Sequence, residues 1–146
     1  MKKLTIFLSL FISSIVSAEM KPLQDVMEGM DANEPTSFIY IAERCSALYI
    51  FSADNLPEPV KTVYIKGSVD FQNAAILVNM REGNLPKGET GMRLSAEEIQ
   101  EKILMFLGHY RKQSENHFLN SGERVNKLIE SDLFTCKPVL ESMRNQ

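Results

Sequence analysis

From Val60 onward the residues Tyr64, Gly67, Phe71, Ala74 and Val78 recur three or four positions apart. That spacing puts them on one face of an α-helix, and the stripe runs much longer than a strand would. Val63-Tyr64-Ile65 on its own would favour a strand, being β-branched and aromatic; the persistence of the 3.6-residue period decides for helix. Gly67 and Ala74 leave room on that stripe for another helix to approach closely.

The same period recurs on both sides. After Pro22, the residues Leu23, Val26, Met27 and Met30 predict a short amphipathic helix with Asp25, Glu28 and Asp31 on its wet face, ended by Asn33-Glu34-Pro35. Thr36 or Ser37 can cap a second helix with the seam Phe38, Ile41, Cys45 and Leu48, widened by Ala42 and Tyr49. Ser95 and Glu98 have the spacing of a capping box ahead of Ile99, Ile103, Phe106, Leu107 and Tyr110. Asn120-Ser121-Gly122 breaks that run, and Val125, Leu128 and Ile129 begin a last helix. Cys136 follows in a segment that Pro138 is expected to close, with one more turn at Val139, Leu140 and Met143. Four such stripes bury each other most simply as a bundle. The expectation is therefore all-α: a small four-helix-bundle-like domain with a short leading helix.

The chain opens with a different pattern. Lys2 and Lys3 precede an apolar run over residues 4–16, and Val16-Ser17-Ala18 supplies the small residues that a signal peptidase needs. The run has about 13 residues, well short of the ~20 of a spanning helix. Residues 1–18 thus read as a cleavable signal peptide, and 19–146 as one helical domain bound for the periplasm or the exterior. No later stretch is long and apolar enough to span a bilayer, so no membrane association is expected after cleavage. In an oxidising compartment Cys45 and Cys136 are expected to pair as a disulfide. A C-x-x-C would suit a redox pair better, and a metal site would need further ligands.

Charge narrows the partners. The 16 Lys and Arg against 19 Asp and Glu give a net charge of −3, and cleavage would remove Lys2 and Lys3 as well. Phosphate backbones need clustered cations, so nucleic acid is not an expected partner. Residues 79–94 hold Gly83, Pro86, Gly88 and Gly91 together with Arg81, Lys87 and Arg93. Their composition predicts a long connection, either a plain connector or a partner-contact loop that uses those three cations.

The search for chemistry returns little. His109 and His117, on one helix, stand ~12 Å apart along the axis, too far to share a metal ion. No haem-attachment, nucleophile-elbow, zincin or phosphate-loop motif occurs. Met27 and Met30 are soft donors, but their spacing on an apolar face fits packing. No cofactor is implied.

Glu43-Arg44-Cys45-Ser46-Ala47-Leu48-Tyr49 resembles a segment of small exported bacterial or phage-related helical proteins of unknown function. The wider layout, an early helical cysteine, amphipathic helices and a late cysteine, resembles the periplasmic immunity proteins that neutralise secreted cell-wall hydrolases. That second resemblance implies a protein partner and assigns no site residues. The expectation is a non-enzymatic exported protein acting by protein–protein binding, inhibitor-like or accessory, with an unknown partner. A periplasmic carrier with a small ligand or metal inside the bundle is the alternative, and an enzyme using Glu43, Arg44 or His117 is a third.

Overall fold

A computed structural model of the chain describes residues 20–83 and 85–145. Its five helices are α1 (Leu23–Met27), α2 (Pro35–Ala53), α3 (Val60–Glu82), α4 (Glu89–Ser121) and α5 (Lys127–Arg144). No strand occurs among the described residues. The signal peptide expected at residues 1–18 lies outside them. No described helix is long and apolar enough to cross a membrane.

Helix α2 is the hub, packed against α3, α4 and α5, while α1 lies on α5. Every residue from 42 to 49 is buried. This follows from the small residues around its circumference: Ala42, Cys45, Ser46 and Ala47 let neighbours approach from several sides. The tightest approach is to α3 at Gly67, where an added Cβ would stand 2.7 Å from the Tyr49 ring and 3.0 Å from Leu140. Tyr49 in turn packs edge-on against Phe71, with ring centroids 5.6 Å apart. A buried hydroxyl pair, Ser46 and Ser68 at 2.9 Å, joins the same two helices, so neither oxygen is stranded. Leu48, Phe71, Ile99, Ile103, Leu107, Ile129 and Leu140 complete the core.

Cys45 and Cys136 are joined as a disulfide, with their Cα atoms 5.5 Å apart and a sequence separation of 91. The bond fastens α5 to the hub helix. Asn126 starts α5 by accepting a hydrogen bond from the Ile129 N–H at 3.0 Å, an N-cap.

Three boundaries differ from expectation. The long connection over 79–94 does not exist: α3 continues through Glu82, and α4 begins at Glu89. Gly91 belongs to the first turn of α4, packed so tightly on the Pro86 carbonyl that no Cβ would fit. Ser95 is therefore inside a helix and caps nothing; its hydroxyl donates across to the Ile76 carbonyl at 3.1 Å, tying α4 to α3. Glu98 accepts instead from the Asn79 side chain at 3.2 Å. Pro138 does not close a segment but lies within α5. Cys136 and Leu140, buried on either side of it, hold the helix to the hub through the proline. Finally, Pro35 opens α2 at its first position, where a missing N–H costs nothing, and neither Thr36 nor Ser37 caps it.

Candidate functional site

Two features stand out from the bundle: a buried ionic node that fixes its N-terminal end, and an open apolar groove beside that node.

The node centres on Arg44 of α2 and Asp132 of α5, both fully buried. Asp132 Oδ2 accepts from Arg44 Nε at 3.0 Å and Nη2 at 2.6 Å. It also accepts a hydrogen bond from the Tyr110 hydroxyl of α4. The other carboxylate oxygen, Oδ1, accepts from the Leu23 N–H at 2.6 Å. That bond has a local cause: Pro22 stands at the N-cap of α1 and has no side-chain acceptor, so Asp132 caps the helix from across the fold. Arg44 Nη2 also donates to the Lys21 carbonyl, and Nη1 to the Tyr40 hydroxyl at 3.3 Å. Burial works against the guanidinium's charge, but Tyr110 and Asp132 outweigh it and raise the Arg44 pKa. Burial first, then the Asp132 charge, holds the Tyr110 phenol well above its ordinary value. With its donors and acceptors turned inward, the node acts as a structural clasp between the leading segment, α2, α4 and α5.

The groove lies between α1, α2 and α5, with a volume of about 790 Å³. Met27, Phe38, Ile41, Phe134, Val139 and Met143 give it an apolar lining, with Glu28 as its one charged member. Phe134 stands on its edge with 81 % of its surface exposed. The sequence explains that position. On α5 the buried positions are Ile129, Asp132, Cys136 and Leu140, and Phe134 falls on another side of the helix. Pro138 also lines the groove and has no N–H to give the Phe134 carbonyl, so that wall carries a backbone acceptor without its helical donor. Phe38 and Ile41, expected in the seam of α2, are only half-buried and form the groove floor.

The other sequence-derived candidates are scattered. Arg81 lies near the end of α3 and contacts Glu82 at 2.9 Å; Arg93 lies in α4 and contacts Glu97 at 2.7 Å; Lys87 is in the short link between the helices. They do not share a long loop. Glu43 is buried between the hub and α4, and its carboxyl is pushed up to about 7, chiefly by burial and further by Glu98, while Lys102 opposes. His117, far along α4, stands 4.0 Å from Glu123. Glu43, Arg44 and His117 therefore do not converge on one cleft. Among the described residues no three His, Cys, Asp or Glu side chains gather as metal ligands. A smaller cleft of about 500 Å³ lies by Phe51, Arg111 and Phe118, but Arg111 is paired with Asp54 at 2.8 Å and Arg124 sits over the Phe118 ring at 4.7 Å.

Sequence reasoning missed both the node and the groove. Charged residues at 43 and 44 read as surface unless the small residues around them are taken as the sign of a central helix. Phe134 lies off the apolar stripe of its helix, and that misplacement is the signal the sequence offers.

The fold and these features define a disulfide-clipped all-α bundle with an exposed apolar groove. No protein-family model, curated protein or solved structure matches the chain.

Proposed function

We propose that this is an exported, non-enzymatic helical protein that acts by holding a segment of a partner protein in the α1–α2–α5 groove, as an inhibitor, immunity-like or accessory protein of the periplasm or exterior. The observation that carries the reading is Phe134, a large aromatic left 81 % exposed on the edge of an apolar groove. Aromatic side chains of this kind anchor protein interfaces. A groove between helices suits an amphipathic helix laid along it. The disulfide and the Arg44–Asp132 clasp stiffen the surrounding helices, which lowers the ordering cost of binding. The leader pattern and the layout resemblance to immunity proteins support the location and the mode of action.

A small-ligand carrier is the second reading, because about 790 Å³ is within the range of ligand sites. The groove is open along one side, however, whereas such sites enclose most of their ligand. The test is co-purification from a periplasmic extract. Wild-type protein should retain a partner at one-to-one stoichiometry, and Phe134→Asp should lose it, by tenfold or more on the scale of an interface anchor, with its circular dichroism unchanged. Equal retention by both proteins, or a small molecule as the sole companion in native mass spectrometry, would refute the reading.

A further inference from the structure

Phe38 and Met143 line the apolar groove and also line a second depression of about 700 Å³ against α3, so the two depressions adjoin at these side chains. The second part has a different character. Its charged lining consists of Lys66, Arg81 and Arg144 with a single carboxylate, Asp70. Arg144 is bound to that carboxylate by two nitrogens, at 2.9 and 2.6 Å. Lys66 makes no ion pair among the described residues. Arg81 touches only its neighbour Glu82, and its side chain is 73 % exposed. On a chain whose net charge is −3, this is a local excess of positive charge in the lining of the depression beside the apolar groove. The apolar groove itself carries Glu28 as its charged member.

We infer that the groove's occupant is an amphipathic peptide segment with a fixed polarity: its apolar residues fill the space around Phe38, Phe134 and Met143, and acidic residues at one end lie over Lys66 and Arg81. This rests on the docking function proposed above and adds the partner's chemistry and direction. Glu28 disfavours the reversed placement, since it would face the acidic end. An anionic amphiphile such as a fatty acid has the same pairing of apolar and acidic parts. An open groove leaves one side of an acyl chain in water, whereas a peptide covers that side with its own polar face.

The experiment is selection of phage-displayed random 16-residue peptides on the folded protein. Enriched peptides should carry apolar residues three and four apart, followed by clustered Asp or Glu at one end. Phe134→Asp should weaken their binding at least tenfold. The double variant Lys66→Glu/Arg81→Glu, both at exposed positions, should weaken it about tenfold at low salt and enrich Lys or Arg when selection is repeated on it. Peptides that need Phe134 but show no acidic bias and ignore the Lys66 and Arg81 changes would overturn this inference and leave the docking function standing. Failure to enrich any Phe134-dependent peptide would overturn both. Tight one-to-one retention of dodecanoate, lost in Phe134→Asp, would replace the peptide by an amphiphile.

Discussion

Arg44 and Asp132 show how much of this fold's organisation rests on two side chains. Each is fully buried, and each satisfies the other while holding a backbone group of the leading segment. A buried ion pair adds little net stability over an apolar substitute, but removing one member leaves the other uncompensated. Asp132→Ala should therefore lower the unfolding free energy by about 3–5 kcal/mol in urea titration. It should also release amide protection at Leu23, whose N–H donates to Asp132 Oδ1. Glu43 gives a second residue-scale prediction, in pH. Its carboxyl is raised from 4.5 to about 7 in the fold, so folded protein holds the proton after unfolded chain has lost it. This contribution is intact below pH 4.5 and is lost as pH rises through about 7, on the order of 3 kcal/mol in all. Glu43→Gln should flatten the fall in Tm over that window; an unchanged slope would assign it to another group. Neither residue's role was legible in the sequence, because hydropathy assigns Glu43 and Arg44 to water and nothing local to 132 points to a partner 88 positions away.

At the scale of elements, helical periodicity was a dependable guide wherever the stripe was long. The Val60–Val78 stripe became α3, and Ile99–Tyr110 became the buried face of α4. The close approach expected at Gly67 is present, against Tyr49 and Leu140. Gly67→Ala should cost roughly 1–3 kcal/mol by forcing the Tyr49 ring aside, whereas the same change at the open position Gly108 should cause no such clash, in parallel thermal melts. Periodicity failed at punctuation. Glycine and proline at 86–91 read as a loop because their backbone freedom was weighed without their surroundings, yet Gly91 is there to fit against a carbonyl. Pro138 read as a stop because its lost hydrogen bond was counted without the disulfide and Leu140 that keep α5 in place. The groove was invisible for a related reason. It is a relation between α1, α2 and α5, and no single helix carries its pattern.

For the whole molecule, the Cys45–Cys136 bond and the node act on the same pair of helices, α2 and α5. In the chain-entropy account, closing 91 residues stabilises the fold by about 4–5 kcal/mol, and native disulfides of small exported domains fall within about 2–5. Cys45→Ala/Cys136→Ala should lose stability in that range while keeping its helical circular dichroism, since each helix retains its own apolar face. Loss of all structure would mean that the bundle depends on the bond to form at all.

The clasp on Leu23 has a further bearing on the order in which the fold can close. Both long-range ties, the clasp and the disulfide, join the leading half to Asp132 and Cys136 of α5. A chain still emerging from the ribosome lacks the partners that would lock its leading half. Such a chain stays unfastened through its leading half until α5 has arrived, so closure of the fold comes late in the order of synthesis.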